Sequence, residues 1–193
     1  NYTTGVHTSF AMHETISRLY PDVDFLTPDF VYGIFNVPSV YSDASPIQSA
    51  AVMVKALKEF GYRIVYATSR PTTAIASTQE WLERYEMPID YLLFEDSDPK
   101  KKDLITSLAP VVQRGSFFYD DRPQTLVETE EALSQLKTRG TNVNIAVFGP
   151  HTPWNDLPGS TDPDSQHIQH LLRTPYEIMS ELFNGQIPEL REI

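Results

Sequence analysis

Ser116-Phe117-Phe118-Tyr119-Asp120-Asp121-Arg122-Pro123 is where the chain declares its architecture. The first four residues, three of them aromatic, predict a short strand. It ends on two carboxylates. Adjacent carboxylates at a strand end repel each other, and a nearby cation relieves that cost. An oxygen-rich pair of this kind suits Mg2+, which keeps several waters and takes few protein carboxylates. A bare Asp-Asp pair also reads as a solvated turn in which aspartate caps the next helix. The surrounding sequence has to decide between the two.

Downstream, Thr125 to Leu136 predicts a helix closed by the Thr138-Arg139-Gly140 turn, and Asn144 to Phe148 predicts a strand followed by Gly149-Pro150. Upstream, Asp98-Pro99 reads as a helix start, with proline at the first helical position, for a helix reaching about Leu108. Ile89 to Phe94 predicts a short strand and Thr73 to Tyr85 a helix. Before them, Ile47, Ala50, Ala51, Val54, Leu57 and Phe60 recur at helical spacing. Ser45 is the expected N-cap of that helix, and Gly61 its C-terminal stop. Tyr62 to Ala67 reads as a buried strand, halted by Thr68-Ser69-Arg70-Pro71, and Pro175 to Leu182 predicts a closing helix.

Strands alternating with helices predict an α/β fold, a parallel sheet flanked by helices. Ligands of such sheets sit beyond the carboxyl ends of the strands. Thr68, Asp120 and His151 each follow a strand end. The stretch from about residue 9 to 43 breaks the rhythm: Phe10, Ile16, Leu19 and Tyr20 suggest one helix, and Pro21, Pro28 and Pro38 then punctuate an aromatic run. It is expected to be a small helical cap within a single domain spanning residues 1–193.

With 193 residues and 40% hydrophobic content the chain can pack a core. Its net charge of -11 argues against a nucleic-acid polymer as partner, because such binders present a basic face. A small phosphorylated substrate remains compatible, with a metal ion supplying the positive charge. The absence of cysteine removes disulfides, thiol nucleophiles and cysteine zinc sites together, and a cytoplasmic location is the expectation. No apolar run approaches the roughly 20 residues that span a bilayer, so no membrane partner is expected.

Thr68 and Ser69 offer hydroxyl and backbone donors at a strand-to-helix turn, where phosphate oxygens can be cradled. Taken alone, they read better as an ordinary helix cap. Lys100-Lys101-Lys102 opens a helix, where the dipole disfavours lysine. The run is either a solvated basic cluster or a source of one phosphate-neutralising ammonium. His7, His13, His151, His167 and His170 show no metal-ligand spacing. The aromatics from Phe30 to Tyr41 read first as cap core.

In this order and spacing, the pieces resemble the haloacid dehalogenase (HAD) superfamily, a Rossmannoid α/β fold. Tyr66-Ala67-Thr68-Ser69-Arg70-Pro71 looks like its second motif, one lysine of the 100–102 run like its third, with Lys102 fitting best, and Phe117 to Pro123 like its fourth. Within the superfamily the likeness is to the 5′(3′)-deoxyribonucleotidases. Ser45-Pro46-Ile47, the run from Phe148 to Asn155 and a closing helix near Tyr176 follow that layout. The resemblance implies Asp120 and Asp121 on Mg2+, Thr68, Ser69 and Lys102 on phosphate, and Thr68 and Lys102 in catalysis. It also implies Phe35 or Tyr41 stacked on a nucleobase. One departure is marked. The family's first motif, Asp-x-Asp-Gly-Val, supplies the nucleophile and the general acid/base, yet Tyr2 and Thr4 stand at those places, before Gly5-Val6.

Two readings follow. The first is a Mg2+-dependent phosphohydrolase of nucleoside 5′-monophosphates, without activity in this chain because the nucleophile is missing. The second is a non-catalytic binding or structural module on the same fold. The chain starts at Asn1 rather than methionine, and the strand preceding the first motif is absent. The expectation is therefore an altered start, in preference to a relative that lost its nucleophile.

Overall fold

Short alternating segments separated by proline and glycine build a computed structural model with the expected α/β composition. It describes residues 20, 22–24, 27–34, 37–94, 101–112, 115–151 and 168–183. In chain order the elements are α1 (Pro28–Ile34), α2 (Pro38–Ser42), α3 (Gln48–Glu59), β1 (Val65–Thr68), a 3-10 turn (Thr72–Ala74) running into α4 (Ile75–Arg84), and β2 (Tyr91–Phe94). There follow α5 (Lys101–Leu108), β3 (Ser116–Tyr119), α6 (Pro123–Thr138), β4 (Ile145–Phe148), a 3-10 turn (Gln169–Leu171) and α7 (Pro175–Leu182). Among the described residues no helix is long and apolar enough to cross a membrane.

The chain divides into two compact units. One, here the Thr68 unit, comprises residues 28–98 and 175–193. The other, the Asp120 unit, comprises residues 1–27 and 99–174. Each contains one parallel strand pair. Parallel strands need a crossover, supplied by α4 in the first case and α6 in the second. In the Thr68 unit β1 pairs with β2 in the register Val65↔Tyr91 to Thr68↔Phe94. In the Asp120 unit β3 pairs with β4 from Ser116↔Ile145 to Tyr119↔Phe148.

The Thr68 unit packs Ala51, Leu82 and Met87 against Tyr66, Trp81 and Leu92. Ala51 lies on the apolar face of α3 that the sequence periodicity marks out. Gly61, at φ +86°, ends α3, a backbone conformation that a Cβ would strain. The Asp120 unit has the larger core, built from Phe118, Leu126, Leu133, Ile145, Val147 and Ile168 among others. Burying a leucine such as Leu126, which is fully enclosed, is worth about 1.5–3 kcal/mol.

Several boundaries differ from expectation, and three of the differences can be traced to particular contacts. α3 begins at Gln48, with Ile47 in the cap position and no side-chain cap, rather than at Ser45-Pro46. The Trp81 indole N–H donates to the Ala44 carbonyl, which fixes the path of the incoming chain. β1 begins at Val65 rather than Tyr62, because the N–H groups just before it go elsewhere. Tyr62 N–H donates to the Leu57 carbonyl, closing α3, and Ile64 N–H donates to the Asp90 carboxylate at 2.7 Å. α6 extends to Pro123–Thr138, with Pro123 in its first turn and Arg122 as the cap. The segment expected to form a cap contains α1 and α2, whereas its earlier helix, around Phe10 to Leu19, lies outside the described residues. So do Asp98 and Pro99.

Candidate functional site

In the Asp120 unit, β3 delivers Asp120 directly from the ladder: its N–H still donates to the Phe148 carbonyl of β4 at 3.2 Å. Its carboxylate then turns back over the start of α6. Oδ1 accepts the Arg122 N–H at 2.9 Å, an Asx-type turn that leads into Pro123. Oδ2 accepts from Lys101 Nζ at 2.6 Å. Both members are secluded, with side-chain exposures of 5% for Asp120 and 19% for Lys101. A buried carboxylate of this kind is tolerated because it is paired and hydrogen-bonded on both oxygens.

The lysine that meets Asp120 is thus Lys101, not Lys102, which pairs instead with Glu128 of α6 at 3.4 Å. Consecutive helical residues project about 100° apart, so only one of the two can face Asp120. Lys100 lies outside the described residues. Gly149 follows β4 and allows a close approach. A Cβ there would run into Leu126 Cδ1 and stand 3.2 Å from the Asp120 carbonyl oxygen.

Asp121 is exposed at the surface, yet protein atoms crowd around its carboxyl. Desolvation first, then repulsion from Asp120, raises its carboxyl above the usual range, against the pull of Lys101 and Arg122. Burial, with Asp121 adding to it, pushes the Tyr119 hydroxyl up to about 12. Asp120 is engaged on both oxygens and Asp121 is exposed, so a Mg2+ ion taking these carboxylates and completing its shell with water would have to share Asp120 with Lys101. Among the described residues no larger group of His, Asp or Glu gathers as a metal cluster.

In the Thr68 unit, Thr68 closes β1 and its Oγ1 accepts the Arg70 N–H at 3.2 Å, while Ser69 is exposed. Arg70 then folds inward. Its Nη1 donates to Thr78 Oγ1 of α4 at 3.0 Å, and its guanidinium lies 4.6 Å from the centroid of the Tyr41 ring and 6.0 Å from that of Trp81. Burial lowers the Arg70 pKa. Arg84 Nη1 donates to the Ser42 carbonyl at 2.8 Å, so α4 grips α2 at a second point. Tyr41 is buried, and one of its faces carries Arg70. Phe35 and the first-motif residues Tyr2 and Thr4 lie outside the described residues. His151 is exposed just past β4.

Sequence reasoning passed over Lys101 and Arg70. For Lys101 the signal was a register within a run of three lysines. For Arg70 it was a cation inside a motif read only for its hydroxyls.

Residues 33–113, less than half of the chain, match the family model of the PITM 1-3 LNS2 domain. That domain belongs to a HAD-like phosphatase superfamily. The match corrects the likeness to the 5′(3′)-deoxyribonucleotidases: the family found is a lipin-like phosphatase fold, not specifically a nucleotidase. It spans Tyr41, Thr68, Arg70 and Lys101 and stops short of Asp120. No curated protein and no solved structure matches the chain.

Proposed function

We propose that this chain is built on a HAD-type phosphohydrolase site for a phosphate monoester, whose hydrolysis needs a nucleophile other than the Tyr2 and Thr4 found at the first motif. The observation that carries this reading is the secluded Asp120 carboxylate at the carboxyl end of β3, held by Lys101 Nζ at 2.6 Å beside a second carboxylate. Strand ends of α/β folds are where ligands bind, and a carboxylate pair with one ammonium is a charge set suited to a metal-bridged phosphate. Asp120, with Asp121 beside it, would hold Mg2+, and the ion would offset negative charge on the transferring phosphoryl group. Lys101 would add positive charge once Asp120 engages the metal.

A second reading is favoured by a specific feature of the sequence. Tyr2 and Thr4 occupy the places of the family's acid pair, and neither replaces a carboxylate nucleophile without a dedicated base. On this reading the chain binds a phosphate ester and does not cleave it. One experiment separates the two. Release of phosphate from p-nitrophenyl phosphate with Mg2+ is measured beside binding of inorganic phosphate, for the wild type and for D120N. A hydrolase predicts turnover that falls by roughly a hundredfold or more in D120N. Binding without turnover establishes the module. Turnover equal in both proteins refutes the assignment of Asp120.

A further inference from the structure

We propose that Glu128 is a positioning residue: by taking up Lys102, it makes Lys101 the lysine that meets Asp120. The functional meaning of this rests on the phosphate-ester reading above, and the residues all belong to the Asp120 unit.

The argument begins with a surplus of candidates. Lys101 and Lys102 open α5 side by side, and the end of β3 offers the secluded Asp120 carboxylate. Charge alone does not choose between two ammonium groups. Apolar packing does little to choose either. α5 has eight residues and none is fully buried, although Ile105 packs against the core from a partly buried position. Consecutive helical residues project about 100° apart, so the roll of this short helix decides which lysine faces β3.

Glu128 supplies the missing constraint. It stands on the sixteen-residue α6, which is anchored by the buried Leu126, Thr129 and Leu133. Its Oε2 lies 3.4 Å from Lys102 Nζ, and its Oε1 accepts from Gln124 Nε2 at 2.9 Å, one turn earlier. Gln124 Oε1 accepts in turn from Arg122 Nη2 at 3.2 Å. The Arg122 N–H donates to Asp120 Oδ1 and Lys101 Nζ to Asp120 Oδ2. The contacts close a circuit, from Asp120 through Arg122 and Gln124 to Glu128, and from Glu128 through Lys102 and Lys101 back to Asp120. Each of the two carboxylates spends one oxygen on either arm. A glutamate already oriented by Gln124 gives up less side-chain freedom on meeting Lys102 than a lone surface residue would.

Exposure separates the tasks of the two pairs. Lys102 and Glu128 keep side-chain exposures of 31% and 24%, against 19% and 5% for Lys101 and Asp120. A pair as open as the first contributes little to overall stability. A small bias is nevertheless decisive where two arrangements compete, because it acts on the ratio between them. Without the Glu128 charge, two ammonium groups stand near one secluded carboxylate, and Lys102 becomes a competitor for Asp120.

The test reads each lysine separately. The whole chain is labelled briefly with acetic anhydride, and acetylation of Lys101 and Lys102 is measured by mass spectrometry in the wild type, E128Q, E128D, K102M and E128Q/K102M. E128Q should raise the labelling of Lys101 by roughly threefold, the scale that a partly exposed ion pair can supply. E128D, which keeps the charge, should change it less. K102M removes the competitor, so Lys101 should stay protected there, and E128Q/K102M should recover the protection that E128Q loses. A simple tie between α5 and α6 predicts the opposite: K102M would expose Lys101 as E128Q does, and the double variant would not recover. That pattern overturns the inference, and so does an E128Q protein labelled at Lys101 like the wild type. Should E128Q not fold, K102M decides by the same comparison. Binding of inorganic phosphate with Mg2+ by the wild type, followed by calorimetry, keeps the two readings apart. A wild type that binds no phosphate brings down the phosphate-ester reading, and the labelling pattern decides the role of Glu128 independently.

Discussion

Lys101→Met isolates the charge pair on which the Asp120 unit depends. At the observed 2.6 Å separation, the Coulomb energy with an effective dielectric of 20 is about 6 kcal/mol before desolvation is subtracted. Removing the ammonium leaves a carboxylate that is 5% exposed, with the Arg122 N–H still bonded to Oδ1. Breaking a buried pair from one side costs about 3–5 kcal/mol, and the surviving bond with the start of α6 argues for the lower figure. A loss of about 3 kcal/mol would lower Tm by roughly 6–12 °C in a chain of this size. Asp120→Asn should cost less, about 1–2 kcal/mol, because the more exposed Lys101 can turn its ammonium to water. The double variant K101M/D120N is the decisive construction, since it removes both charges and leaves neither stranded. Urea unfolding of all four proteins, with m-values compared, gives the coupling energy. A coupling of at least about 1.5 kcal/mol is expected. Additive single effects, within about 0.5 kcal/mol, would show that the two groups do not depend on each other and would refute the reasoning.

Three further outcomes follow from single features. Gly149→Ala places a Cβ against Leu126, itself fully buried, and close to the Asp120 carbonyl, so a loss of about 1–3 kcal/mol is expected in urea unfolding, partly recovered with L126V. Among the described residues the buried Tyr66 hydroxyl has no hydrogen-bond partner, and burial pushes it up to about 12. Tyr66→Phe should therefore be neutral or stabilising by about 1 kcal/mol, and a clear drop in Tm would contradict the missing partner. Asp90 accepts Lys58 Nζ at 2.6 Å and the Ile64 N–H at 2.7 Å, with the Lys58 bond the larger cause of a lowered pKa. A depressed carboxyl stabilises the fold above its unfolded pKa of about 3.9, and that contribution disappears as pH falls through the folded value. D90N should thus melt below the wild type at pH 7, with the gap closing in acid; a gap that is constant with pH would rule out the ion pair as its cause.

The parts of the fold legible in the sequence were those set by short-range chemistry. Ser116–Tyr119 reads as a strand because its aromatic run stops at carboxylates, and the ladder with Ile145–Phe148 uses those same residues. Pro175–Leu182 begins where proline permits a helix to begin. Two of the shifted boundaries involve a backbone group claimed by a residue distant in sequence. Ile64 N–H is taken by Asp90, and the Ala44 carbonyl by Trp81, 37 positions away. Propensity cannot register such claims, because they exist only after the segments have packed.

The site was legible in its residue types and not in its pairing. The turn at Asp120-Asp121 could be marked as a place for charge, since no apolar strand ends on two carboxylates without cost. Which lysine answers Asp120 could not be read, because that depends on the rotation of α5 about its own axis. A shift of one residue turns the side chain by about 100° and sends it to Glu128 instead of Asp120. Arg70 was obscured for the opposite reason. Its motif drew attention to hydroxyls, and an arginine among polar loop residues suggests nothing until Tyr41, 29 positions earlier, is seen to supply the ring beneath it. Among the described residues Arg70 is held by the Thr78 hydroxyl and two aromatic rings, an arrangement that exists only once α2 and α4 have packed.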